Sequence, residues 1–205
     1  MMRIEVTSFN PDAIRRLAER AALVTADARR DWHATLATVQ RGVVQEHARA
    51  TWPQRHRTAA RLGAQPTGWL ERGIQMISAR SDESTATVDL TGNAATAAQR
   101  VDGPVTIVPR GKKWLTIPAT AEAYGRRPGE FSQLRVLFFG RGRIALGVGP
   151  GKGEQGPRKV FFWLRKSVTL PQDRTLLPPD EVLRAGVDAA AEEFLEARQL
   201  AGSLS

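Results

Sequence analysis

The chain has 205 residues, 41% hydrophobic and 25% charged, with a net charge of +9 and a pI near 11.0. That is the composition of one soluble globular domain, long enough to bury a core and drawn to polyanions or acidic proteins. With no cysteine and three histidines (His33, His47, His56), disulfides, thiolate metal sites and cysteine nucleophiles are excluded. The start, MMRIEVTSF, lacks the apolar run of a signal peptide, and no stretch reaches 18 apolar residues, so no membrane span is expected.

Residues 3–9, RIEVTSF, alternate as a strand does. Asn10, Pro11 and Asp12 then form a helix start: a cap, a residue suited to the first turn, and a charge that complements the dipole. Ile14, Leu17, Ala21, Val24, Ala28, Trp32, Leu36, Val39 and Val43 recur at threes and fours. This spacing predicts one amphipathic helix of about 35 to 40 residues, ending near Ala50 and roughly 50 to 60 Å long, with a bend near Gly42. A small domain does not cover that length, so part of the helix is expected to pack on another body.

Residues 51–66 read as a polar, basic loop. GIQMISAR and STATVDL, joined by Ser81-Asp82-Glu83, predict a hairpin. Asn93–Arg100 reads as a short helical turn, and PVTIVP and WLTIP as strands on either side of Arg110-Gly111-Lys112-Lys113. A looser loop follows over 119–130. LRVLFF (134–139) and RIALGVG (143–149) flank Gly140-Arg141-Gly142, a hairpin turn, and KVFFWLRKSVTL (159–170) reads as the last strand. PPDEVLRAGVDAAAEEFLEARQL predicts a C-terminal helix capped by Asp180, with Val182, Ala185, Val187, Ala190, Phe194 and Leu195 on its apolar face and residues 201–205 frayed. The order of elements argues for an α+β fold: a long N-terminal helix, a mainly antiparallel sheet with an extended hairpin and loop over 119–158, and a C-terminal helix, all in a single domain over 1–205.

The glycines of 140–156 carry no nucleotide motif. A phosphate-binding P-loop at Gly151-Lys152 would place its first glycine on Leu146 and its magnesium-binding hydroxyl on Gly153. Gly140-x-Gly142-x-x-Ala145 satisfies a dinucleotide fingerprint on paper, but that motif must open a helix and RIALGVG is strand-like. His33 and His47 lie about 21 Å apart along a helix and share no ion. Glu192-Glu193-Glu196 and Asp82-Glu83 occupy ordinary solvated positions. No catalytic, cofactor or metal constellation is read.

Two sets of residues remain as candidates for contact. Arg110, Lys112, Lys113, Arg141, Arg143, Lys152, Arg158 and Lys159 lie in or beside successive inter-strand loops, and alternate loops of an antiparallel sheet share an end. They are candidates for touching DNA or an acidic protein, against the plainer role of keeping the chain soluble. Trp69, Trp114 and Trp163 are either core anchors or interface aromatics.

PTGWLERGI (66–74) follows the long helix and resembles the P-x-[TR]-G-x-L-x-x-[SG]-I signature of tailed-phage virion-morphogenesis and tail-completion proteins. GKKWLTIP (111–118) is similar to the KKAL-x-IP strand of these families. KVFFWLRKSVTLPQDRTLLP (159–178) resembles their exit to the last helix, and PDEVLRAGVDAAAEEFLEA resembles that helix. Two departures stand out: Glu71-Arg72-Gly73-Ile74 where R-x-S-I is usual, and Pro171-Gln172-Asp173-Arg174 at the exit. The resemblance implies a structural virion protein of the neck, acting in head-tail joining, tail completion or tail termination. It would be assembled in the host cytoplasm into a ring of roughly six or twelve copies around the DNA channel. The implied partners are the chain itself, a portal or head-completion protein, the tail-tube protein and the genomic DNA, with no cofactor and no membrane. The alternative reading is a basic DNA-binding or packaging-associated protein acting as a monomer or dimer.

Overall fold

Trp52 is completely buried, and its indole N–H donates to the Leu176 carbonyl at 2.8 Å. That bond ties the long helix to the segment leading into the C-terminal helix, 124 residues further on. The computed structural model describes residues 2–5, 26–150 and 156–203. It divides the chain into two compact units: unit 1 holds Met1–Pro53, Trp69–Val101 and Arg174–Ser205, and unit 2 holds Gln54–Gly68 and Asp102–Asp173. Each unit is built from separated pieces of chain.

In unit 1, helix α1 (Ala26–Arg55) buries Ala28, Trp32, Leu36, Gln40, Val44, Ala48 and Trp52, the stripe that a period of 3.6 requires. Its expected start at Asn10–Asp12 lies outside the described residues. Its end is later than expected: the helix continues past Ala50 to Arg55 with Pro53 inside the last turn. A proline there disturbs only one backbone bond, and the burial of Trp52 holds the turn in place.

A three-stranded antiparallel sheet of β1 (Met2–Glu5), β2 (Ile77–Ser81) and β3 (Ala86–Leu90) has β3 in the centre. All five β3 residues are buried; Ala86, Val88 and Leu90 face the apolar core, and the alternate Thr87 and Asp89 face the other way. Arg80 Nε donates to Asp89 at 2.7 Å, so the buried carboxylate is paired. The β2–β3 turn is closed by Asp82. Its carboxylate accepts from the Ser84 and Thr85 backbone N–H groups and hydroxyls, which hold its pKa far below the usual carboxylate range.

The PTGWLERGI stretch runs into helix α3 (Trp69–Gln75), so the strand read from Gly73 as GIQMISAR begins only at Ile77, with β2. Its glycines have separate reasons to be there. Gly68 adopts a left-handed φ of 68° just before the helix. At Gly73 a Cβ would lie 3.3 Å from the backbone of Asn93 and Ala94, so its absence lets α3 approach α4 (Gly92–Ala98). Ile74 then buries into a core shared with Val44, Trp52, Leu90, Ala97 and Leu176.

Helix α5 (Asp180–Ser203) opens at Asp180, which is its first residue rather than a cap outside it. Val187, Ala190 and Phe194 are buried against Trp32 and Leu36, with Trp32 and Phe194 in edge contact at 5.7 Å. Val182 and Ala185, assigned to this face from the sequence, are exposed. The buried stripe runs instead through Leu183, Gly186, Val187, Ala190 and Phe194, at spacings of three and four. Gly186 leaves room for Gln40, whose side-chain amide donates to the Leu183 carbonyl at 2.8 Å. The helix runs to Ser203.

Unit 2 begins in the segment read as a loop over 51–66, which holds helix α2 (Thr58–Leu62), closed by Gly63 at a left-handed φ of 64°. Its four-stranded antiparallel sheet has the order β5-β8-β7-β6, from β5 (Leu115–Pro118), β6 (Arg135–Phe139), β7 (Arg143–Val148) and β8 (Lys159–Arg165). The expected strand over 159–170 is two strands. β8 ends at Arg165, and β9 (Val168–Leu170) pairs instead with β4 (Val105–Ile107). The hairpin of 134–149 lies within this sheet, with β7 paired along its length with β8. The segment 119–130 forms two short 3-10 turns, Ala121–Ala123 and Pro128–Glu130. Ala123 and Phe131 pack on Phe161 and Phe162 to make the core of this unit.

Replacing Trp52 by Ala is expected to destabilise unit 1 by about 3 to 5 kcal/mol, and by Phe, which strands the Leu176 carbonyl but keeps most of the ring volume, by about 1 to 3 kcal/mol. Urea unfolding of both variants beside the unaltered chain checks this; a Phe variant as stable as the unaltered chain would mean that the indole N–H is irrelevant.

Candidate functional site: a cationic end of the unit 2 sheet

The two units differ sharply in charge. Unit 2 has 16 Lys and Arg against 5 Asp and Glu, a net of +11, whereas unit 1 has 14 against 16, a net of −2. The whole basic excess of the chain therefore belongs to the smaller body. Its five acids are Asp102, Glu122, Glu130, Glu154 and Asp173. Residues 103–121, 131–153 and 155–172 contain none.

Strand register places these cations. Phe139 pairs with Arg143, and Leu115 pairs with Arg165, so the β6–β7 turn, the end of β8 and the start of β5 share one end of the sheet. That end gathers Arg141, Arg143, Arg165 and Lys166, with Lys112 and Lys113 in the connection entering β5. All six are exposed. Arg110 lies earlier in the same connection and is exposed too. Among the described residues no carboxylate forms an ion pair with any of these seven.

Three aromatic rings support this end. Trp163 and Phe139 are 5.5 Å apart, the Arg143 guanidinium lies 6.0 Å from the Trp163 ring, and Lys166 lies 6.0 Å from the Trp114 ring. These are cation–π distances, so the rings orient the cations that sit over them. Arg158 reaches across to Phe139, 5.8 Å from its ring, and donates to the Phe138 carbonyl at 3.3 Å.

Arg141 is the one described residue other than glycine with a positive φ, at 61°, followed by Gly142 at 68°. This backbone costs an L-residue about 1 kcal/mol. A strained arginine at the tip of a turn that glycine would suit is a mark of a demand for its side chain.

The other candidates fall elsewhere. Lys159 is ion-paired with Glu122 at 2.8 Å and lies at the opposite end of the sheet, where Val148 pairs with it. Lys152 lies outside the described residues. Trp69 is half-buried and packs against the unit 1 core. Arg165 and Lys166 escape notice in the sequence because they sit within one apolar run; the signal that finds them is the long stretch without acids.

The outer edge of the sheet has a different character. β6 is an edge strand, and on it Phe138 is 70% and Val136 51% exposed. In register Val136 pairs with Leu146 and Phe138 with Ile144, so the exposed side chains extend the apolar face of the sheet to its rim.

Among the described residues no helix is long and apolar enough to cross a membrane, and no group of three His, Asp or Glu is placed to hold a metal ion. Comparison with protein-family models, curated proteins and solved structures returns no match.

Arg141→Gly is expected to raise the stability of unit 2 by up to about 1 kcal/mol, since it relieves the left-handed backbone at the cost of some chain entropy. Thermal melting checks this; a clear loss of stability would mean that the arginine side chain holds the turn.

Proposed function

We propose that the chain is a structural protein of a tailed-phage virion, acting in the neck in head-tail joining, tail completion or tail termination, as one subunit of a ring around the DNA channel. The observation that carries this reading is the exposed β6 edge. A strand left unpaired along its outer side, with Val136 and Phe138 exposed on it, is a surface that a monomer in water normally avoids, and that a neighbouring protein subunit would cover. The order of elements supports it as well: long helix, PTGWLERGI segment, antiparallel sheets and terminal helix follow one another as the resemblance implies. On this reading the partners are further copies of the chain, a portal or head-completion protein, the tail tube and the DNA in the channel, and the chain resides in the virion after assembly in the host cytoplasm.

A second reading, a basic DNA-binding or packaging-associated protein, is favoured by the +11 charge of unit 2. The two readings part on the particle. Deleting the gene from the phage that encodes it is expected to give filled heads and separate tails, or tails of abnormal length, in electron micrographs. Complementation with a chain carrying Val136→Asp and Phe138→Asp is expected to fail in the same way while the purified chain stays folded. Normal joined particles from the deletion would exclude the neck reading, and full rescue by the double variant would remove the β6 edge from it.

A further inference from the structure

We infer that the cationic end of the unit 2 sheet is a sequence-independent binding surface for the phosphate backbone of duplex DNA. It goes beyond the neck reading by naming the surface and its ligand, and it stands whether or not that reading does.

Three observations carry it. Arg141, Arg143, Arg165, Lys166, Lys112 and Lys113 come together from three different stretches of chain, and only the strand order β5-β8-β7-β6 unites them. No described carboxylate pairs with them, although elsewhere in unit 2 the exposed cations Lys159 and Arg126 do have such partners, Glu122 and Glu130. An acid-free patch keeps its full field and leaves every cation open to an outside anion. Arg141 holds a left-handed backbone to be there.

The geometry suits duplex DNA. Four strands at about 4.8 Å spacing span roughly 15 Å, enough to touch phosphates on both sides of a major groove about 12 Å wide. Arginine forks match phosphate oxygens in pairs. Trp163 and Phe139 already lie beneath cations and are no more than half exposed, so they are not free platforms for unstacked bases. Contacts of this kind position DNA without reading its sequence.

The test uses the full chain and a short labelled duplex, with anisotropy measured from 50 to 200 mM salt. Arg141→Gln/Arg143→Gln/Arg165→Gln is compared with Arg57→Gln/Arg61→Gln/Arg127→Gln, which removes the same charge from exposed positions elsewhere in unit 2. Melting curves confirm that both variants fold. The sheet-end triple is expected to weaken binding about ten-fold or more at low salt and to flatten the log–log salt slope by about 2 to 3, near 0.9 for each lost phosphate contact. The control triple is expected to change affinity by less than about three-fold. Duplexes of unrelated sequence are expected to bind alike. Equal losses from both triples would mean diffuse charge and no site, and absence of salt-dependent binding by the unaltered chain would overturn the proposal outright. If poly-glutamate competes as well as DNA of equal charge, the surface serves an acidic protein and the proposal fails. None of these results depends on particle assembly, so a failure here is separate from a failure of the neck reading.

Discussion

The burial of one stripe of α1 is the constraint on which unit 1 depends. Trp32 and Leu36 near its start pack on α5, and Val44, Ala48 and Trp52 further along pack on β2, β3, α3 and α4. Two bonds fix the register between this helix and the C-terminal chain, from Trp52 to the Leu176 carbonyl and from Gln40 to the Leu183 carbonyl. Each puts a buried polar group of one segment on a backbone acceptor of the other, which a one-turn slip would break. The small residues follow from the same constraint. Gly186 gives way to Gln40, and Gly73 lets α3 close on α4.

Unit 2 works under another rule. Its core is small, with Phe161, Phe162 and Ala123 buried and Phe131, Leu134 and Leu146 around them, and its sheet leaves both a charged end and an apolar edge open. A body with a net charge of +11 repels copies of itself across a like-charged surface. Contacts between copies through this unit would therefore favour the β6 rim, where Val136 and Phe138 are, over the cationic end. On the proposed reading the two surfaces would sort partners by chemistry, apolar protein at the edge and polyanion at the end.

Much of the architecture is legible in the sequence, and the exceptions have physical causes. Alternation marks β2, β3, β6 and β7, and the glycines at 140 and 142 mark their turn. The stripe of α1 and the opening of α5 at Asp180 are equally plain. α3 is hidden because Gly73, a helix breaker by propensity, is needed for close packing, a tertiary demand that overrides the local one. The late end of α1 is hidden by Pro53 for the same reason. The division of 159–170 into β8 and β9 depends on two different partner strands, and nothing local announces them. The candidate site is legible only in part. Arg141, Arg143, Lys112 and Lys113 stand out beside turns, but their union with Arg165 and Lys166 requires β5 to pair with β8, 48 residues on at the Thr116–Leu164 pair, rather than with its neighbour in the chain. The segregation of charge appears only once the interleaved pieces of the two units are sorted.

On the proposed reading, this chain sits in a virion neck with the sheet end carrying Arg143 and Arg165 toward the DNA. The most direct measurement is a cryo-electron microscopy reconstruction of the intact particle from the encoding phage. The account predicts a closed ring of this chain between head and tail, with the β6–β7 turn lining the channel and the β6 edge covered by a protein neighbour. A particle that lacks the chain, or a ring whose β6–β7 turns point to solvent away from the DNA, would contradict it.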